Sequence, residues 1–194
     1  MIKNFLIITI FLASFINFSK ADSLKEFQIE NISIGDSALN HFTKENIEKK
    51  KLKGFIYEKK DFYSVTFYKF NHPQFEMYDA VQLHLKKNDN KYIIYSIAGR
   101  KNFDNNFKEC VKTLNSILPE MEKTFKNSKT IDGGTEVWKN SEGHNVKTKS
   151  YWISLSTGGD VSLECYDQPE EMNIIDGLSI ALDSKLFSSW LTNK

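Results

Sequence analysis

The first residue whose type and position suggest chemistry is Ser37, at the end of residues 32–37, which read Ile-Ser-Ile-Gly-Asp-Ser. A serine that follows a short apolar segment and a glycine turn can act as a nucleophile when a neighbouring base accepts its proton. The histidines of the chain are His41, His72, His84 and His144. None of them has an aspartate three residues before it. The same residues also fit a simpler role, in which Gly35 makes a turn and Asp36 or Ser37 caps the next helix.

Residues 35–39, Gly-Asp-Ser-Ala-Leu, resemble the first block of the GDSL or SGNH hydrolases, a family of exported esterases and lipases. The resemblance implies that Ser37 is the nucleophile and that the fold is a parallel sheet of βαβ units. The family's Asp-x-x-His near the C-terminus and its Gly-x-Asn-Asp block supply the base and an oxyanion donor. Neither has a counterpart in this sequence. We therefore predict no catalytic residue and keep a serine esterase using Ser37 as the alternative.

The sequence contains no residue pattern that is typical of a metal or cofactor site. The histidine spacings match neither His-x-His nor His-Glu-x-x-His, and no acidic loop has the residue order of a calcium site. Carboxylate groups can be assembled from Glu76 and Asp79, or from Asp160, Glu164 and Asp167, but most such groups are surface charges. We predict no metal site and no cofactor.

The two cysteines, Cys110 and Cys165, are predicted to form a disulfide. Cys110 lies on the apolar stripe of a predicted helix, and Cys165 shares a strand face with Val161 and Leu163, so both are expected to point into the core. Two separate buried thiols are the alternative. A catalytic cysteine would need partial exposure and a basic neighbour.

The N-terminal residues predict export. Lys3 provides a positive start, residues 5–16 form an apolar stretch too short to span a bilayer, and Ser19-Lys20-Ala21 has the small-x-small pattern of a cleavage site. We predict a signal peptide over residues 1–21, one domain over residues 22–194, and a soluble periplasmic or secreted product. An uncleaved anchor is the alternative, although no stable membrane anchor is expected after cleavage.

The charge balance argues against nucleic acid as a partner. The formal charge is +1, and it becomes −1 when Lys3 and Lys20 leave with the leader. A near-neutral protein lacks the electrostatic footprint of a nucleic-acid-binding protein. Arg100 is the only arginine, so bidentate recognition of phosphate or carboxylate is scarce. The lysines of residues 49–53 fit the solvated C-terminal end of a helix.

Alternating apolar residues predict two runs of strands. In the first run, residues 62–70, 78–87 and 92–98 form an antiparallel sheet, with the last segment apolar on both faces and therefore central. An edge strand is expected over residues 27–34. The second run covers residues 135–139, 146–155 and 161–166, and a last strand contains Leu178, Ile180 and Leu182.

Helices are predicted before each run and at the C-terminus. Asp36 or Ser37 and then Thr43 can cap two short helices, with Gly54 as a stop. Residues 107–125 carry the longest apolar stripe, which Pro119 should kink or split, and residues 131–134 should close that segment. A final helix follows Asp183 or Ser184.

The chain thus reads as one or more helices and then three strands, twice, with a strand and a helix at the end. Connections of hairpin length predict an α+β fold with a largely antiparallel sheet of about six to eight strands and helices packed on it. Two similar halves are compatible with this order.

The opening Ile-x-Ile-Gly-Asp-Ser, the tyrosine-rich meander and one cysteine in each later element are similar to a group of small exported proteins of low-GC marine bacteria, which implies no activity. The element order also resembles the barrel-assembly lipoproteins and the β-lactamase-inhibitor fold, which are binding proteins, but the lipid-carrying cysteine of the former is missing. We predict an exported binding or interaction protein whose sheet face and loops contact a protein or small ligand. The sequence names no ligand-binding residue.

Overall fold

The computed structural model describes residues 24–51, 61–140, 143–169 and 176–192. The predicted signal peptide and Gly54 lie outside these ranges. The strands are β1 Phe62–Tyr68, β2 Ala80–Lys86, β3 Ile94–Asn102, β4 Ser128–Lys139, β5 Asn145–Leu155, β6 Asp160–Asp167 and β7 Gly177–Asp183. The α-helices are α1 Lys44–Lys51, α2 Phe107–Thr124 and α3 Lys185–Thr192. No helix in the described ranges is long and apolar enough to cross a membrane.

The strands form one seven-stranded sheet in the order β1-β2-β3-β7-β6-β5-β4, and every neighbouring pair is antiparallel. This confirms the predicted α+β class and strand number. The parallel sheet implied by the hydrolase resemblance is wrong. β3 is an interior strand paired on both sides, as its apolar faces predict, but β7 holds the middle position of the sheet, because it inserts between the two meanders and pairs with both β3 and β6.

The sheet has an inner face that carries the core and an outer face opposite to it. On the inner face, alternate residues of the strands pack with α1, α2 and the N-terminal segment in one apolar cluster. The buried inner-face residues include Val65, Phe67, Val81, Leu83, Leu85, Ile97, Leu178, Ile180, Leu182, Val161, Leu163 and Ile153. Helix α2 contributes Cys110, Leu114, Ile117 and Met121. The predicted core faces of β6 and β7 are therefore confirmed.

Cys110 of α2 and Cys165 of β6 form a disulfide with a Cα–Cα distance of 6.0 Å, as predicted. Both cysteines are fully buried. The bridge fastens α2 to the inner face, close to the middle of the sheet.

The helix caps follow the sequence closely. Thr43 Oγ1 accepts a hydrogen bond from Asn46 N–H at the start of α1, and Asn106 Oδ1 accepts one from Glu109 N–H at the start of α2. Ser184, rather than Asp183, caps α3, because its hydroxyl accepts from Phe187 N–H. Helix α2 continues through Pro119 without the predicted split.

The predicted N-terminal edge strand is wrong, since residues 27–34 form a tight turn. Glu30 and Asn31 both have positive φ, and Ile29 and Ile32 exchange two backbone hydrogen bonds of 3.0 Å. This is the geometry of a two-residue hairpin turn. Both isoleucines enter the core, so the apolar spacing changes from odd to even positions where the turn intervenes.

The expectation that residues 131–134 close a segment is also wrong, because they lie inside β4. Asp132 pairs with Tyr151 and Gly134 with Ser150, which leaves Gly133 as the extra residue of a β-bulge. A side chain on Gly133 would overlap the Trp152 ring and the Ser150 hydroxyl, at 2.3 and 2.4 Å from a Cβ. The two glycines therefore bend a strand rather than end one.

The connection between β5 and β6 is a hairpin, as its short length predicts. Leu155 and Gly159 are bonded across it, and Gly158 and Gly159 both have positive φ. The other predicted hairpin joins β4 to β5, with residues 141–142 outside the described ranges.

The alternation along residues 78–87 places His84 on the strand face opposite the core, where solvent would be expected, but helix α3 covers this end of the outer face. The Phe187 ring stacks on His84 with 4.6 Å between ring centroids. Phe187 and Trp190 also contact Phe62 edge-on. His84 is therefore buried rather than solvated.

Candidate binding face

The outer face beyond α3 is the candidate site, because it carries polar and aromatic side chains on a continuous surface. The strand register places them in two rows. One row runs Gln82, Ala98, Ala181, Ser162 and Trp152, and the next runs Arg100, Ser179, Glu164 and Ser150. Since neighbouring strands lie about 4.8 Å apart, the three steps from β3 to β5 extend over roughly 14 Å.

Arg100 is the centre of the polar part of this face. Its Nη2 donates to Gln82 Oε1 at 2.9 Å, and Gln82 Nε2 lies 3.4 Å from Thr66 Oγ1. Arg100 Nε is buried and has no hydrogen-bond partner among the described residues. A guanidinium that is half-buried on a sheet face and incompletely paired is costly for a fold.

Glu164 lies in the same row as Arg100, with Ser179 of β7 between them, and Tyr166 lies two residues further along β6. The Tyr166 hydroxyl donates to Glu164 Oε2. Burial raises the pKa of Glu164, while the hydrogen bond from Tyr166 and the charge of Arg100 lower it, and the net direction is upward. Burial also raises the pKa of Tyr166. The face thus holds an arginine and a carboxylate in a partly desolvated setting. The pKa of Glu164 therefore depends on what covers the face.

A second group of hydrogen-bonded residues lies on the same outer face, at the end covered by α3. Ser96 donates to Asp183, and His84 Nδ1 lies 3.0 Å from Ser96 Oγ. Because the single Ser96 proton goes to Asp183, His84 Nδ1 must carry the hydrogen that Ser96 accepts. Burial raises the pKa of Asp183 to about 6, with Asp160 and Glu164 adding to the rise. Burial and the charge of Arg100 lower the pKa of His84 to about 3.

Trp152 forms the apolar side of the face. It is 38% exposed and lies opposite Ile131, which is 44% exposed. The bulge at Gly133 leaves room for the indole ring against β4, where any larger residue would overlap it. A tryptophan and an isoleucine exposed side by side differ from the scattered apolar residues of an ordinary surface.

Ser37, the predicted alternative nucleophile, lies away from this face and acts as a cap. Its Oγ donates to the Lys91 carbonyl at 2.7 Å and accepts from Leu39 N–H at 3.3 Å. Its hydrogen is therefore committed to a backbone carbonyl. His41 Nε2 lies 3.7 Å from Asp36 Oδ2, and the Asp36 carboxylate also accepts from Ser33 N–H.

The remaining predicted candidates do not assemble. The described ranges contain no group of three or more histidine, cysteine, aspartate or glutamate residues placed to hold a metal ion. His72 packs against Phe42 and Phe67, and His84 is enclosed by α3. The backbone carbonyl of Glu76 accepts a hydrogen bond from Lys69, and its backbone N–H donates one to Glu30. Asp79 forms an ion pair with Lys101 at 3.6 Å.

The sequence identifies Arg100 and Glu164 singly and does not show that they lie in one row of the outer face, separated by Ser179. The usable signal was the alternation on β6, where Ser162, Glu164 and Tyr166 interleave with apolar core residues. That pattern assigns the residues to the outer face. Their proximity to Arg100 depends on β7 lying between β3 and β6, which no local pattern reveals.

No family model, no curated protein and no solved structure matches this chain. The function must therefore be inferred from the chain's own residues.

Proposed function

We propose that this is an exported protein that binds a partner protein through the outer face, at the patch formed by Arg100, Trp152, Glu164 and Tyr166. The observation that carries the proposal is the presence of tryptophan, tyrosine and the only arginine of the chain on one solvent-facing side of the sheet. These three residue types dominate the binding energy of protein interfaces.

The electrostatics support the same site. Covering the patch would remove water from Arg100 and Glu164 and strengthen the interactions that each makes with a complementary partner group. The half-buried positions of both charges mean that part of their desolvation cost is already met by the fold. A preorganised site of this kind loses less free energy on binding than a flexible, solvated one.

The disulfide supports the proposed compartment. Cys110 and Cys165 are joined in the core, and structural disulfides persist in the periplasm and outside the cell rather than in a reducing cytosol. The mature chain would begin at Asp22, after the predicted signal peptide. Intact-mass measurement of protein from a periplasmic extract tests this, because an uncleaved chain would keep residues 1–21.

A photo-crosslinking amino acid at Ile131 tests the binding face in the native host. Leu39 is the matched control, since it is 42% exposed but lies on the turn beside Ser37. We expect a discrete adduct from position 131 whose mass differs from that of two copies of this chain, none from position 39, and loss of the adduct in Trp152→Ala. An identical adduct from both positions, or one unaffected by Trp152→Ala, would contradict the proposal.

A further inference from the structure

Strand β4 is an open edge of the sheet. Among the described residues it pairs only with β5, and its twelve residues leave their other side free of strand partners. Val137 and Trp138 are 64% and 45% exposed near its end. Unpaired edges readily take up a further strand, and natural proteins usually protect them with charges or bulges. β4 has both devices, and together they restrict what can pair with it.

The bulge at Gly133 changes which residues of β4 point outward. Before it, Lys129 and Ile131 share the outer face, because they pair with Ser154 and Trp152. After it, the outer positions are Gly134, Glu136 and Trp138. The outer face therefore switches from odd to even residue numbers within one strand.

This switch limits how two copies of β4 can pair. Antiparallel strands related by a two-fold axis normal to the sheet place outer residues opposite outer residues. In a register that spans the bulge, a residue before it meets a residue after it, so an outer pair joins an odd and an even number and the sum is odd. Among these registers, an even sum would set outer against inner residues.

One of the permitted registers is complementary in charge. Pairing Lys129 with Glu136 of the second copy also pairs Thr130 with Thr135, Ile131 with Gly134, and Ser128 with Val137. Each pair occurs twice because of the symmetry. Opposite charges and threonine pairs are favourable cross-strand neighbours. A shift by two residues in either direction places Lys129 opposite Trp138 or Gly134 and removes the charge pairing.

We propose that two copies of this chain associate through antiparallel pairing of β4 with β4, in the register that places Lys129 opposite Glu136. The proposal goes beyond the proposed function, because it concerns the sheet edge and a second copy of the chain. It has one geometric consequence for the outer face. Since the two-fold axis is normal to the sheet, both outer faces point the same way, and the exposed Trp152 and Ile131 of each copy lie near the junction.

Sedimentation velocity of the mature, oxidised chain tests the proposal with charge-reversal variants. The wild type should shift from monomer to dimer as its concentration rises. Lys129→Glu and Glu136→Lys should each weaken the dimer about tenfold or more, because each creates two like-charge pairs. Lys112→Glu on α2, an exposed lysine with the same charge change, should leave the dimer unaffected.

Mixing the two single variants gives the sharpest readout. In a mixed dimer, the glutamate introduced by Lys129→Glu meets the lysine introduced by Glu136→Lys, and the native Glu136 and Lys129 meet at the other end, so both charge pairs are restored. The mixture should dimerise as strongly as the wild type, which a misfolded variant could not do. A wild type that stays monomeric at every concentration reached, single variants that dimerise normally, or a mixture that stays monomeric would each overturn the proposal.

Discussion

Removing the disulfide should lower the stability of the fold by about 4 kcal/mol. The cysteines are separated by 55 residues, and the chain-entropy relation for a loop of that length gives about 14 cal/mol/K, or about 4 kcal/mol at 25 °C. The bridge acts mainly on the unfolded chain, which is free to expand once it is cut. The variant to make is Cys110→Ala combined with Cys165→Ala.

The assay is equilibrium unfolding in urea, with and without reductant. The oxidised wild type should lose about 4 kcal/mol when reductant is added, while the double variant should show no response to it. Because the reduced wild type keeps both cysteine side chains, it separates loss of the cross-link from the loss of packing in the variant. The variant should also retain the circular dichroism of a folded α+β protein.

A reductant effect below about 1 kcal/mol would refute the reasoning, since it would mean that the unfolded chain gains little freedom when the bridge is cut. A direct thiol count offers a second check. Protein isolated without reductant and alkylated under denaturing conditions should show no free thiol, and two alkylated cysteines would contradict the structure.

Four further predictions concern individual residues. Glu30→Gln should destabilise the fold by about 2 kcal/mol in urea unfolding, because the Glu30 carboxylate accepts three backbone hydrogen bonds of 2.7–2.8 Å from residues 76–78. Gly133→Ala should change the environment of Trp152, seen as a shift in tryptophan emission, since the added Cβ overlaps the ring. A fluorophosphonate probe should fail to label Ser37, whose hydrogen is donated to a carbonyl. His84, with a folded-state pKa of about 3 against 6.5 when unfolded, should cost stability as pH falls from 6.5 towards 3. His84→Gln should make that acid limb shallower by up to about 1.4 kcal/mol per pH unit.

Each of these has a control and a contradicting outcome. Glu109→Gln is the control for Glu30→Gln, since the Glu109 carboxylate forms an exposed ion pair with Lys112. Equal losses of stability in the two variants would show that the three hydrogen bonds accepted by Glu30 contribute little. Gly143→Ala is the control for Gly133 in the emission measurement, because its positive φ strains an alanine but a Cβ there meets no atom within 4 Å and so no tryptophan ring. Labelling that disappears in Ser37→Ala would establish the esterase. An acid limb of equal slope in His84→Gln would show that other groups set the pH dependence.

The pH prediction includes an opposing group. Asp183 has a pKa raised to about 6, so its burial destabilises the fold above pH 6 and this cost is relieved as pH falls from 6 to 3.8. The two effects therefore partly cancel in the wild type between pH 6 and 4. Replacing His84 leaves the Asp183 contribution, and the variant should gain stability relative to the wild type as the solution is acidified.

Local chemistry accounts for the parts of the fold that the sequence predicts. Thr43, Asn106 and Ser184 cap helices because each offers a side-chain acceptor to a free N–H one turn on. Cys110 and Cys165 could be paired because periodicity alone places both on core faces. These inferences need only neighbours within a turn or a strand.

The failures arise where distant segments decide the structure. The sequence alone predicts that Gly133 and Gly134 close a segment, because the same glycines serve a bulge only when β5 places Trp152 beside them. β7 lies last in the chain and in the middle of the sheet, so nothing near it in sequence shows that it pairs with β3 and β6. The sequence alone does not predict the candidate site for the same reason, since Arg100 and Glu164 come close only when β7 lies between their strands.

The outer face carries charged groups that the stability of the fold does not require. The apolar core, the disulfide and two of the helices all lie on the inner face, so stability does not require charged groups in the centre of the other one. Arg100 nevertheless stands there with a buried Nε lacking a partner among the described residues, beside Glu164, whose pKa is raised by burial. Such groups cost free energy in the isolated fold, and they are retained most readily where a partner completes them. Pairing of β4 with a second copy would bring two such faces together on one side of a continuous sheet, so that a partner could engage both.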